Sequence, residues 1–188
     1  MAALLAALAL AACDSGPPKF KSTDLTGADF GKSLALTAHD GKPRTLADFS
    51  GKVVVLNFGF TKCPDVCPTT LAELAQAVGK LGHDAGRVQV LFVTLDPARD
   101  TREVLSRYVP AFDPGFLGLY GDAEATQRVA KEFKIFFEKR PGATPDAYTI
   151  DHSAQVFVID QQGRLRLFVR HDRIGEDLAE DLRTLLKG

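Results

Sequence analysis

Lys52-Val53-Val54-Val55-Leu56-Asn57-Phe58 is a nearly unbroken apolar run whose β-branched content and length suit a strand buried on both faces. From Thr69 the hydrophobic period changes. Leu71, Leu74, Ala75, Val78 and Leu81 share one face of a 3.6-residue helix, and Gly82 fits its end. A second buried strand is expected over residues 88–94. The chain has 188 residues, 45% of them hydrophobic, which is enough for one domain with its own core.

The remaining elements follow the same logic. Leu34-Ala35-Leu36 and Arg44-Thr45-Leu46 flank Asp40-Gly41, a step that supplies the positive φ of a tight turn, so an N-terminal β-hairpin is expected. Residues 101–109 read as a short helix stopping before Pro110. Residues 116–120 read as a short strand, and 123–133 as a helix with Val129, Ala130 and Phe133 facing inward. Residues 134–151, containing Pro141, Gly142 and Pro145, read as a long loop, a length usually associated with function or disorder. Residues 155–159 and 165–169 form a hairpin around Gln161-Gln162-Gly163. A last helix begins near Gly175, with Ile174, Leu178, Leu182 and Leu185 in register. This order predicts an α/β chain with a mixed central sheet flanked by helices. A βαβ unit followed by ββα is the thioredoxin-like arrangement, here with an inserted loop before the strand that His152 opens.

Charge narrows the partners. Lys+Arg number 23 against Asp+Glu 24, a net charge of -1, which gives no electrostatic reason to expect nucleic acid. No repeat or low-complexity tract occurs. The three cysteines, Cys13, Cys63 and Cys67, are too few for a disulfide scaffold and differ in kind.

Cys13 ends the apolar stretch of residues 1–12. That stretch is too short to span a bilayer but has the length and small-residue ending of a signal-peptide core. Leu10-Ala11-Ala12-Cys13 resembles a bacterial lipobox, in which cleavage leaves a lipid-bearing cysteine at the new N-terminus. Such a terminus holds a chain to a membrane. The sequence departs from a full signal in having no Lys or Arg before Lys19. Residues 1–13 are thus expected to be a lipoprotein-type signal segment, 14–28 a flexible solvated tether, and 29–188 the folded domain. Asp14 resembles an inner-membrane retention signal.

The chemistry concentrates in Thr61-Lys62-Cys63-Pro64-Asp65-Val66-Cys67-Pro68, between a buried strand and an amphipathic helix. A thiol at a helix N-terminus meets unpaired N–H groups and the positive end of the dipole, both of which favour thiolate. The spacing is C-x-x-x-C. Residues i and i+4 of a helix have Cβ atoms about 5–6 Å apart, wider than the ~3.8 Å of a disulfide and within reach of a metal bound by two sulfurs. The spacing leans toward metal and excludes neither a metal site nor a redox-active pair. Asp65, between the cysteines, either tunes the site's charge or occupies the helix's first turn.

Of the four histidines, only His152 sits in a sharp motif, Tyr148-Thr149-Ile150-Asp151-His152-Ser153. Read alone it fits a structural, hydrogen-bonded histidine better than a ligand. His39, His83 and His171 lie in polar or charged stretches and are expected at the surface. Asp96, Arg99 and Asp100 follow a buried strand, near the expected site end of the sheet. The simplest reading of them is loop and helix capping, with Asp100 or Thr101 as N-cap.

Asn57-Phe58-Gly59-Phe60-Thr61, the Cys63–Pro68 motif, Val93-Thr94-Leu95-Asp96-Pro97-Ala98-Arg99-Asp100-Thr101 and Ile150-Asp151-His152-Ser153, in that order, resemble the Sco (SenC) family of copper-delivery proteins for cytochrome c oxidase. The resemblance runs from about residue 30 to 186. It implies a thioredoxin-like fold, copper as Cu(I) or Cu(II) on Cys63, Cys67 and His152, and delivery to the binuclear site of oxidase subunit II. Two thiolates and an imidazole form a soft, low-coordinate set suited to copper. With Cys13 lipidated, the expected location is the periplasmic face of a bacterial inner membrane. The alternative function is thiol–disulfide exchange on oxidase or other envelope cysteines. A peroxidase of the peroxiredoxin kind is disfavoured by Pro64 and the second cysteine. The chain is read mainly as a metal-binding and transfer protein with no catalytic residue assigned.

Overall fold

The computed structural model describes residues 18–144 and 147–187. Cys13 and the expected signal segment therefore lie outside the described residues. Among the described residues there are ten strands: β1 (Thr23–Asp24), β2 (Ala35–Ala38), β3 (Pro43–Thr45), β4 (Val53–Gly59), β5 (Val88–Thr94), β6 (Leu117–Tyr120), β7 (Phe137–Arg140), β8 (Thr149–His152), β9 (Val156–Ile159) and β10 (Leu165–Val169). The main helices are α1 (Val66–Gly79), α2 (Arg102–Tyr108), α3 (Ala123–Glu132) and α4 (Ala179–Lys187), the last preceded by a π-helical turn, Ile174–Leu178.

Eight strands form one mixed sheet in the order β1-β10-β9-β4-β5-β6-β2-β3. β4 lies at its centre, parallel to β5 and antiparallel to β9. Every residue of β4 is buried, because alternate side chains enter different cores. Val53 and Val55 pack with Leu71, Leu74 and Val78 of α1 and with Leu178, Leu182 and Leu185 near the C-terminus. Val54, Leu56 and Phe58 pack with Val129, Ala130 and Phe133 on the other side. The expected α/β sheet with helices on both faces is what forms. The Asp40-Gly41 hairpin is β2–β3, with Gly41 at φ 86.

Three expectations need correction. Residues 134–151 are not a plain loop: β7 and β8 pair as a separate two-stranded antiparallel sheet. Of these two strands only Ile150 is buried, so the hydrophobic pattern carries almost no trace of them. Accordingly His152 closes β8 and does not open the central strand β9. Residues 18–28, read from composition as tether, lie on the domain instead. The Lys21 and Ser22 amides donate to the Asp181 carboxylate at 2.7 and 2.9 Å, Phe20 packs on the core, and Thr23–Asp24 pairs with β10.

Candidate metal centre

β4 ends at Gly59, and a tight loop leads into α1. Cys63 precedes the helix, Asp65 holds its N-cap position and Cys67 lies in its first turn. The helix thus starts earlier than its hydrophobic period suggested. The Asp65 side chain makes no capping bond and is exposed. Instead the Cys67 N–H donates to Cys63 Sγ at 3.5 Å, a sulfur in the place of a capping oxygen.

The loop is pinned from below by Asp100. This buried carboxylate accepts from Thr61 N at 2.9 Å, Thr61 Oγ1 at 2.6 Å and Thr94 Oγ1 at 2.6 Å. The N-cap of α2 is Thr101, which accepts from Val104 N. Asp100 therefore supports the cysteine loop, a role sequence did not reveal because its partner Thr61 is 39 residues away. Gly59 was also missed. A Cβ built there would stand 2.8 Å from Cys67 Sγ and 2.9 Å from Phe92 Cε2. The second sulfur thus fills the space above a bare backbone, as a glycine in an otherwise large-residue buried strand signals.

The hairpin β7–β8 brings in the third group. Ile150 packs with Phe60 and Cys67, and the His152 ring meets Phe60 edge-on at 5.9 Å between centroids. His152 Nε2 lies 3.6 Å from Cys67 Sγ. His152 Nδ1 is 2.9 Å from the Ser153 carbonyl oxygen. A carbonyl only accepts, so the proton sits on Nδ1 and the Nε2 lone pair faces the sulfurs. The donor atoms of Cys63, Cys67 and His152 all fall within 4.8 Å of one another. Both cysteines are free, Cys63 half-buried and Cys67 buried.

Burial dominates the electrostatics. It pushes the Cys67 thiol well above its ordinary range and lowers the His152 imidazole below 6.5. The helix start does not offset this at Cys67, contrary to the expectation of a readily formed thiolate. A cation between these atoms would supply the missing compensation. Bonds of about 2.3 Å to sulfur and 2.0 Å to nitrogen put the donors of a three-coordinate metal about 3.7–4.0 Å apart. The Cys67–His152 separation of 3.6 Å comes close to that spacing, so the donor set fits a soft ion.

Of the other histidines, His83 and His171 are exposed. His39 is half-buried, with Nδ1 accepting from Gly118 N at 2.9 Å, so it braces the sheet and is not a free surface residue.

The SCO1/SenC family model matches residues 22–187. The chain belongs to that family. Among its Sco relatives, the mitochondrial SCO2 homolog of Bos taurus is 37% identical over 152 residues, 80% of this chain and 57% of that protein. The chain thus spans a little over half of the curated relative's length. The solution structure of apo Sco1 from Thermus thermophilus is 42% identical and covers 90% of this chain and 94% of that one, with a TM-score of 0.75. The copper-bound structure of Bradyrhizobium japonicum ScoI is 35% identical and covers 84% and 99%, with a TM-score of 0.77. The Sco fold, a thioredoxin-like sheet with the cysteine loop at the C-terminal end of its central strand, is therefore the fold of this chain.

Proposed function

We propose that this chain is a copper carrier that binds one copper ion through Cys63, Cys67 and His152 and delivers it to the binuclear copper site of cytochrome c oxidase subunit II. The observation that carries this reading is the convergence of two thiols and an oriented imidazole within 4.8 Å. The copper in the Bradyrhizobium relative supports it. Sulfur and imidazole select copper over hard cations. The backbone bond at Nδ1 fixes the tautomer and aims the imidazole, and burial favours its neutral form.

Loading requires both thiols to lose their protons, and the metal's charge replaces them in the buried pocket. Low coordination leaves room for an incoming ligand. Cys63 is half-buried beside exposed Pro64 and Asp65, so exchange with an acceptor begins at that sulfur. Thiol–disulfide exchange is not favoured, because burial holds the Cys67 thiol protonated and its sulfur faces His152.

The reading extends to a lipid on Cys13 and a site on the periplasmic face of a bacterial inner membrane, supported by Leu10-Ala11-Ala12-Cys13. Among the described residues no helix is long and apolar enough to cross a membrane. Cys13→Ala then releases the chain from the membrane fraction. Residues 14–17, the rest of the expected tether, lie outside the described residues. Anaerobic copper titration of the soluble domain tests the site. One equivalent with sulfur-to-copper charge-transfer absorption is expected, lost on substitution of Cys63 or Cys67 and altered in His152→Ala. Unchanged binding in all three variants would refute it.

A further inference from the structure

His152 rides on a hairpin outside the main sheet, so its approach to the sulfurs depends on what fastens that hairpin. Ile150 and Phe137, packed with Phe60 and Cys67, hold the end near His152, while a Ser153–Phe136 backbone bond closes the hairpin on itself. The start of β8 is fastened by Tyr148. Its hydroxyl donates to Asp96 Oδ1 at 2.7 Å, and its carbonyl accepts from Arg99 Nη1 at 2.8 Å. Two cations stand over its ring, the Arg99 guanidinium carbon at 3.5 Å and Lys139 Nζ at 3.4 Å from the centroid. Arg99 Nε in turn pairs with the buried Asp96 carboxylate. The Asp96 amide donates to Thr94 Oγ1 at the end of β5. Arg99 also lies 6.0 Å from the centroid of Phe60, the ring against which His152 rests.

We propose that Tyr148 and Arg99 form a latch that fastens the His152 hairpin to the main sheet and sets how firmly the imidazole is held against the two sulfurs. They are positioning residues: neither supplies a ligand atom. The inference rests on the copper reading of the site and adds a release step to it. With the latch shut, copper has its third ligand; with the hairpin lifted, two sulfurs remain and the ion is easier to take. The planar guanidinium suits the task, because one group stacks on a ring, donates to a carbonyl and pairs with a carboxylate together.

Two measurements test it. Hydrogen exchange on the metal-free domain compares wild type with Tyr148→Leu, Arg99→Gln and the milder Tyr148→Phe, which keeps the ring stack and loses the hydroxyl bond. Amides of Phe137–Arg140 and Thr149–His152 are expected to exchange about tenfold faster in the first two variants, the scale of one stacking contact plus one hydrogen bond. Tyr148→Phe is expected to fall between, with β4 and β5 unchanged. Unchanged hairpin exchange, or an equal rise in β4 and β5, overturns the latch. The second measurement is the rate of copper loss to a chelator. Tyr148→Leu and Arg99→Gln are expected to raise it about tenfold, with no further rise when His152 is already Ala. An undiminished rise in the His152→Ala background overturns the proposal. Absence of copper binding by the wild type would sink the copper reading alone, since the exchange experiment needs no metal.

Discussion

Gly59→Ala is the sharpest single perturbation of the centre. The glycine lies at the end of fully buried β4, and its φ does not fall in the left-handed region, so backbone strain plays no part. The new methyl would stand 2.8 Å from Cys67 Sγ and 2.9 Å from Phe92 Cε2. Non-bonded heavy atoms settle at about 3.5–4.0 Å, so sulfur and ring must each retreat by up to about 1 Å. Overpacking of this kind costs about 1–3 kcal/mol, or about 2–4 °C in Tm per kcal/mol for a domain of this size. Copper affinity is expected to fall by about 10–100-fold, because ligand positions tolerate only about 0.2 Å. Denaturant unfolding of the metal-free domain reads the first quantity and chelator competition the second. Gly79→Ala is the control: nothing lies within 4 Å of its added Cβ, and it is expected to leave copper binding unchanged. A Gly59→Ala domain with wild-type unfolding midpoint and copper affinity would refute the close-packing argument.

Further outcomes follow from the same geometry. Burial lowers the His152 pKa below 6.5, so the unfolded chain takes up that proton first. The associated stability is present above about pH 6.5 and is lost as the pH falls through the folded value. The metal-free His152→Gln domain is expected to lose less stability between pH 7 and 5 than wild type, read from urea midpoints; parallel curves would contradict this. Asp100→Ala strips the acceptor from Thr61 N, Thr61 Oγ1 and Thr94 Oγ1. It is expected to cost about 1–3 kcal/mol and to weaken copper binding by loosening the cysteine loop. Asp181→Ala leaves the Lys21 and Ser22 amides without their acceptor. It is expected to open the N-terminal segment to proteolysis before Thr23 while copper affinity holds, and protease resistance equal to wild type would argue otherwise.

What sequence revealed depended on how deeply each element is buried. β4 and β5 were legible as apolar runs because their side chains fill both cores, and α1 was legible by its helical period because one face fills one of them. β1 is two residues long and exposed, while β7–β8 buries little beyond Ile150. β1 pairs with the remote β10, and the β7–β8 hairpin is too exposed for its pattern to leave a local mark. The cysteine pair stood out because a buried strand and a helix flank it. His152 did not: its own stretch fits a structural histidine better, and only the resemblance to Sco proteins singled it out as a ligand. Asp100 looked like a helix cap because Thr61, its partner, is remote in sequence. The helix dipole suggested easy thiolate formation, yet burial outweighs it at Cys67.

X-ray absorption on the Cu(I)-loaded soluble domain tests the central reading most directly. Two sulfur scatterers at about 2.3 Å and one nitrogen at about 2.0 Å are expected, with the nitrogen contribution lost in His152→Ala. A spectrum fitted by nitrogen and oxygen alone, or one unaltered by that substitution, would contradict the shared site.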